Sequence, residues 1–323
     1  MNEARRPVDV AVGILRDAQH RVLLGQRPAG KSYAGYWEFP GGKLEAGESA
    51  VAALQRELRE ELGIAVGTST PLLTLIHHYP EYSVRLFIRE ISAFQGEARP
   101  REAQELSWVA PDALHQWRLL PADGPIVQAI RLPKHYVFTA QHTHASEIEA
   151  GLGSLPPGAM LRLRLPGLDD AKYRAAAARL VPAAAARGLG VMLDRDPAWV
   201  GEFNAAGLHL SQARLAQAAD LRAQLPTGCW LAGSVHDEQS LAQAATLDFA
   251  VLGPVLATAS HPGSPALGWR GFSDLVMPAA LPVYGIGGLA ADDLAAAQAA
   301  GGQGVAGISA YWSGVPGGVK SSS

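Results

Sequence analysis

The sequence predicts an α/β protein of two domains, the second of them a parallel (β/α)8 barrel. Three observations carry this. The chain has 323 residues, too long for one small domain and comfortable for two. Beyond Pro133-Lys134, short apolar β runs alternate with Ala-rich helical runs. Before that hinge, β runs instead flank one strongly patterned helix, from about Ser49 to Leu62. The predicted domains are therefore 1–132 and 133–323.

In the first domain, Val8 to Leu15 and Arg21 to Gln26 read as strands separated by a turn at Asp17 to His20. A Gly- and aromatic-rich loop, QRPAGKSYAGYWEFPGG, leads into Gly42 to Ile64. Here Val51, Leu54, Leu58 and Leu62 recur at helical spacing and predict a buried stripe, with Gly63 as the stop. Glu57, Glu60 and Glu61 lie at i, i+3 and i+4 and share one face. Like charges at that spacing repel, and acids in the last turns oppose the helix dipole. A hard divalent cation, Mg2+ or Mn2+, removes both objections, because it prefers carboxylate oxygens. Pro71 to Tyr79 and Tyr82 to Phe94 read as further strands about a turn at Pro80-Glu81. A polar loop, a short strand ending at Val109 and a closing helix from Ile126 to Leu132 complete the domain.

Composition narrows the function classes. Apolar residues make up 48% of the chain and charged residues 18%, which supports sizeable cores and argues against general disorder. A net charge of −3 gives no electrostatic reason to bind polymeric nucleic acid, while a single nucleotide stays compatible because metal ions screen its phosphates. The lone cysteine, Cys229, rules out an internal disulfide and fits a reducing compartment. No apolar run reaches membrane-spanning length and MNEARRPVDV lacks a signal-peptide core, so the expectation is a cytoplasmic protein without a membrane partner. Nothing in the pattern specifies an oligomeric state.

The stretch from Gly42 through Glu48 to Arg56-Glu57-Leu58-x-Glu60-Glu61-x-Gly63-Ile64 resembles the Nudix box of pyrophosphohydrolases at every defining position. The resemblance implies an α/β/α sandwich with a mixed sheet and a Mg2+-dependent hydrolase of a pyrophosphate bond. It implies Glu57, Glu60, Glu61 and the Gly41 carbonyl as metal ligands, one of these acids, Glu57 foremost, as the group that takes the proton from water, and Arg56 as the residue orienting the carboxylates. Arg27, Glu38, Phe39, Pro40, Gly41 and Gly42 fall where the MutT branch, which hydrolyses oxidised purine nucleoside triphosphates, has the same residues. That branch implies Arg27, Glu38 and Phe39 at the base pocket, and one loop glutamate at the metal. Glu102 is the better match for this glutamate and Glu105 its competitor. The branch's pocket asparagine is Asp123 in this chain. An amide donates and accepts, whereas an ionised carboxylate only accepts, so the departure bears on any preference for 8-oxoguanine.

In the second domain, β runs fall at 136–140, 160–165, 191–195, 207–211, 230–235, 249–255, 283–288 and 304–310, with helical runs such as 170–187, 214–225, 237–246 and 291–300 between them. This is the order of a TIM barrel, whose functional loops lie at the strand C-terminal ends. No eighth helix is predicted after Ala310. Asp194-Arg195, GLHLSQ at 207–212, Gly233 to His236, LGP at 252–254, IGG at 286–288 and the final GVAGIS are similar to thiamine phosphate synthase and its TenI-like relatives. The resemblance implies a phosphate site at Gly287, Gly288 and Ser309. It also marks departures from the synthase pattern. Met160, Arg162 and Arg164 stand for Gln-x-Arg-x-Lys, Leu193-Asp194 for Asn-Asp, Ala206 for a metal-binding aspartate and His261 for a loop lysine. The barrel is accordingly expected to bind a phosphorylated small molecule as a degenerate or regulatory module.

Together these features lead to a nucleoside triphosphate pyrophosphohydrolase releasing pyrophosphate, an 8-oxo-dGTP diphosphatase that sanitises the nucleotide pool. Two rivals stay open. One is a hydrolase of the pyrimidine diphosphate of thiamine synthesis or its toxic analogues, and the other is a metabolite sensor with residual synthase activity.

Overall fold

Strand β1 (Val8–Leu15) is the backbone about which the first unit forms. The structure is a computed structural model that describes residues 6–102, 104–139, 144–258 and 265–312. The chain divides into two compact units, Met1–Leu132 with Val276–Ala280 and Pro133–Leu275 with Leu281–Ser323. Among the described residues no helix is long and apolar enough to cross a membrane.

In chain order the first unit contains β2 (Val22–Gln26), β3 (Trp37–Glu38), β4 (Gly41–Lys43), α1 (Ala50–Leu62), β5 (Ala65–His78), β6 (Ser83–Gln95), β7 (Leu106–Val109) and α2 (Gly124–Arg131). β1 pairs parallel with β6 and antiparallel with β4, and β5 closes the sheet in the order β4-β1-β6-β5. A second, antiparallel sheet runs β3-β2-β7. Side chains alternate across a strand, so β1 feeds two cores. Ala11 and Leu15 join Leu54, Leu58 and Leu62 beneath α1, while Val12 and Ile14 join Ile126, Ala129 and Ile130 beneath α2. The result is the expected α/β/α sandwich with a mixed sheet.

Helix α1 begins and ends where its local chemistry dictates. The Ser49 hydroxyl accepts from the Ala52 N–H at 3.2 Å, satisfying one of the orphan donors of the first turn. Gly63 takes the left-handed conformation at φ 72° and donates to the Arg59 carbonyl. One expected core position differs. Val51 is 38% exposed, while Ala50 and Ala53 of the same first turn pack on the core instead.

The second unit is a closed parallel barrel of β8 (His135–Phe138), β9 (Met160–Arg162), β10 (Gly190–Leu193), β11 (Gly207–Leu210), β12 (Trp230–Val235), β13 (Phe249–Leu252), β14 (Val283–Gly285) and β15 (Gly304–Gly307). Between them lie α3 (Ala145–Gly151), α4 (Asp170–Ala185), α5 (Ala198–Glu202), α6 (Ala218–Arg222), α7 (Glu238–Gln243), α8 (Gly268–Val276) and α9 (Leu294–Ala299). The strands are shorter than their apolar runs, so Arg164 lies beyond β9, its N–H donating to Thr139 Oγ1 at 2.8 Å. The barrel also ends differently from expectation. A short α10 (Ser309–Trp312) follows β15, and Trp312 Nε1 donates to the Phe138 carbonyl at 2.8 Å. Trp312 thereby ties the end of the described barrel back to β8. His261, expected in place of a loop lysine, and the chain after Trp312 lie outside the described residues.

Candidate functional site

Arg56 is the hub of the acidic helix. Its guanidinium grips Glu48 through two hydrogen bonds, Nε to Oε1 at 3.1 Å and Nη2 to Oε2 at 2.9 Å. Nη1 donates to Glu57 at 2.9 Å and to Glu60 at 3.4 Å, and Nη2 also reaches the Lys43 carbonyl at 2.9 Å. A planar fork with five donors suits such a set, which a lysine ammonium does not reproduce. The Arg56 hydrogen bonds hold the Glu48 carboxyl below its usual range. Glu48 lies in the loop before α1, so the Nudix spacing brings both carboxylates onto one arginine. Gly42 completes the seat. A Cβ there would lie 2.1 Å from the Glu57 carboxyl carbon, so only glycine leaves room for that carboxylate.

Glu61 faces a small pocket with Glu38, Gly41, Glu102 and Gln104. Burial, then the charges of Glu57, Glu102 and Glu38, push its carboxyl up to about 7. Burial likewise raises Glu38, against the opposing pull of Arg27, whose Nη1 donates to it at 2.6 Å. Gln104, which sequence reasoning missed, ties the pocket together: its Nε2 donates to the Glu61 carbonyl at 3.1 Å and its Oε1 accepts the Glu102 N–H at 2.8 Å. Glu102 itself is exposed and pairs with Lys31 at 3.4 Å. Its competitor Glu105 is also exposed and contributes a backbone carbonyl to the Gln26 N–H.

Among the described residues no three His, Cys, Asp or Glu side chains converge closely enough to hold a metal as they stand. The donor set nevertheless fits a divalent cation in chemistry. It is built of hard carboxylate oxygens, with Glu38, Glu61 and Glu102 lining one small pocket. Glu60 and Glu102 are the exposed members, free to change rotamer.

The expected base-pocket residues separate by depth. Phe39 is only 4% exposed and belongs to the core beneath α2, and it also borders the small pocket. Asp123 is 4% exposed, and its buried Oδ2 has no hydrogen-bond partner. Burial, then the nearby Glu38 charge, raises its carboxyl well above the ordinary range. Burial thus disfavours the ionised, acceptor-only form. A neutral carboxylic acid carries one O–H donor and one carbonyl acceptor, the same pair that an asparagine offers. Tyr79, not foreseen from sequence, packs against the same core, and burial foremost raises its hydroxyl.

In the barrel, a cavity of about 940 Å3 opens among Arg162, Arg164, His236, Gly287, Gly288 and Ser309. The expected phosphate residues are therefore brought together with both arginines. Gly288 stands at φ 67°, and a Cβ there would meet the Ala257 carbonyl at 2.6 Å. Arg162 pairs with Asp194 at 3.2 Å, the side chains being 8% and 14% exposed, and its Nε is buried without a partner. Burial, then the Arg162 charge, lowers the Arg164 guanidinium. A Mg2+ site at the family's position does not fit these residues, since Asp194 is committed to Arg162 and Ala206 offers no oxygen from its side chain. Deeper still, His209 is fully buried between the Tyr136 hydroxyl and Ser234 Oγ, each 2.9 Å away, and burial holds it neutral.

Residues 5–130 match the NUDIX domain family, and residues 135–311 match the thiamine monophosphate synthase family. The chain is 40% identical to the CTP pyrophosphohydrolase of Escherichia coli over 37% of this chain and 87% of that one. It is 34% identical to the 8-oxo-dGTP diphosphatase of Haemophilus influenzae over 41% of this chain and 96% of that one. With the 8-oxo-dGTP diphosphatase of Proteus vulgaris it shares 38% identity over 29% of this chain and 83% of that one. The chain thus belongs to the Nudix hydrolases through its first unit and to the thiamine monophosphate synthase family through its barrel.

Proposed function

We propose that residues 1–132 form a Mg2+-dependent nucleoside triphosphate pyrophosphohydrolase with 8-oxo-dGTP as its preferred substrate. The observation that carries this reading is the Arg56 hub, which fixes Glu57 in the seat left by Gly42 beside the charge-crowded Glu61. Glu57, Glu60, Glu61, Glu102 and the Gly41 carbonyl would hold the cations. When bound, divalent cations supply charge neutralisation of the pyrophosphate and favour deprotonation of water. The chain's own residues do the rest. Arg56 aims Glu57, and Glu57 takes the proton from the attacking water. Arg27 keeps Glu38 at the pocket edge. Asp123, as a neutral acid, donates to one base-edge atom and accepts from its neighbour.

That donor–acceptor pair matches the N7–H and O6 edge of 8-oxoguanine. It equally matches N3 and the amino group of cytosine, and the 40% identity to a CTP pyrophosphohydrolase makes CTP the second reading. The fused barrel adds the pyrimidine diphosphate of thiamine synthesis as a third candidate. The barrel itself we read as holding a phosphorylated small molecule through Gly287, Gly288, Ser309, Arg162 and Arg164 without making thiamine phosphate. The test is a side-by-side assay of 8-oxo-dGTP, dGTP, CTP and the pyrimidine diphosphate, reading pyrophosphate and phosphate separately. The highest kcat/KM is expected on 8-oxo-dGTP with pyrophosphate as product. A higher value on CTP or on the pyrimidine diphosphate would overturn the base assignment.

A further inference from the structure

The loop joining β2 to β3 brings Lys31 against the acidic pocket. Among the described residues lining that pocket, Lys31 is the only cationic side chain, and it faces the carboxylates of Glu38, Glu61 and Glu102. Its Nζ lies 3.4 Å from Glu102 Oε2, and its charge also acts on Glu38 and Glu61. An oxygen engaged by an ammonium is not available to a metal ion, so the two cations compete for one carboxylate. The pair is 53% and 48% exposed, and solvated pairs of this kind hold weakly. Lysine suits an exchangeable contact, because its compact charge rides on a flexible four-carbon stem without the fixed fork of arginine.

The surrounding backbone is held on both sides of the pair, so exchange falls to the side chains. The loop is closed at its base, where the Arg27 N–H donates to the Tyr36 carbonyl at 2.8 Å and the Gly35 N–H to the Arg27 carbonyl at 2.9 Å. At its tip, a Cβ built on Gly30 would meet nothing within 4 Å. The Glu102 backbone is likewise held, its N–H donating to Gln104, which reaches the Glu61 carbonyl. Displacement therefore needs only a change of side-chain rotamer at the Lys31–Glu102 pair.

We propose that Lys31 competes with divalent cations for Glu102 and, once displaced, presents its ammonium to the substrate phosphates. Metal entry and phosphate capture are coupled through this one side chain. The inference rests on the hydrolase reading above, and deepens it by naming a phosphate contact outside the Nudix pattern.

The test uses the full chain as wild type, Lys31→Met, Glu102→Gln and the double variant. Mn2+ is titrated calorimetrically without nucleotide, and KM and kcat are then measured on 8-oxo-dGTP and CTP in Mg2+. Lys31→Met is expected to bind Mn2+ about two- to five-fold more tightly, the range set by the strength of exposed pairs. Its KM should rise while kcat changes less, and the tightening should vanish in the Glu102→Gln background. Unchanged Mn2+ affinity and KM in Lys31→Met, with normal Mn2+ binding by the wild type, overturn this inference alone. A wild type that binds no Mn2+ overturns the hydrolase reading and this inference with it.

Discussion

A methyl group added at Gly42 lands on the carboxylate around which the site is arranged. The new Cβ of Gly42→Ala would lie 2.1 Å from the Glu57 carboxyl carbon and 2.2 and 2.4 Å from its oxygens. Ordinary carbon contacts need about 3.5 Å, so the carboxylate must retreat by roughly 1.4 Å. The retreating group is the far end of a flexible side chain, and the Arg56–Glu57 pair it strains contributes about 1 kcal/mol or less to stability. The fold should therefore survive. A displacement of this size at a reacting group costs on the order of 100-fold in rate. Gly41→Ala provides the contrast, because its Cβ would meet the Ala11 carbonyl oxygen at 2.1 Å, at a φ of 150°. Backbone in the middle of β1 cannot retreat, so this variant should lose stability before it loses chemistry. The assay is kcat/KM for pyrophosphate release alongside the melting temperature of each variant. A Gly42→Ala enzyme within about threefold of wild type would refute the claim that the Glu57 seat is needed, since the expected loss is about 100-fold.

Three further outcomes follow from the same contacts. Burial raises Asp123 above its ordinary 3.8, so the folded chain keeps a proton that the unfolded chain releases, and stability falls as pH climbs above that value. Asp123→Asn removes this penalty, so its melting-temperature advantage should grow from pH 4 to pH 8, at up to about 1.4 kcal/mol per pH unit, and a constant gap would contradict the neutral acid. In the barrel, inorganic pyrophosphate should raise the melting temperature of the full chain, Arg164→Met should abolish that rise, and no thiamine phosphate should form from the thiazole phosphate and pyrimidine diphosphate. Trp312→Ala removes a buried ring and its bond to Phe138, so it should destabilise the barrel by about 3–5 kcal/mol, read by denaturant unfolding.

Much of this was legible in the chain because helical spacing is geometry. Glu57, Glu60 and Glu61 share a face of any helix that starts at Ser49 and stops at Gly63, whatever surrounds it. The double grip of Arg56 on Glu48 and Glu57 is different, since chain spacing alone does not show that the loop folds back. Depth is similarly invisible in a residue's identity. Phe39 suits a stacking platform as well as a core, and Asp123 is written the same whether charged or neutral. The structure adds the depth, with Phe39 and Asp123 each only 4% exposed. Val51 shows the converse limit, a stripe position at helical spacing that is nevertheless 38% exposed. In the barrel, alternation of β and helical runs revealed the strand order, while apolar runs overstated strand length. The run at 304–310 concealed α10, because Ser309 and Ala310 look like the end of a strand. Lys31 and Gln104 lie in loops without periodicity, and only their contacts distinguish them.

The central claim is that Glu57, aimed by Arg56, drives metal-dependent release of pyrophosphate. The most direct measurement compares wild type with Glu57→Gln on 8-oxo-dGTP at saturating Mg2+, with melting temperature as the control for folding. Turnover should fall about 100- to 10,000-fold with the fold intact, and chelation of the metal should abolish the wild-type rate. Near-normal turnover by Glu57→Gln, or wild-type turnover indifferent to chelation, would contradict the account.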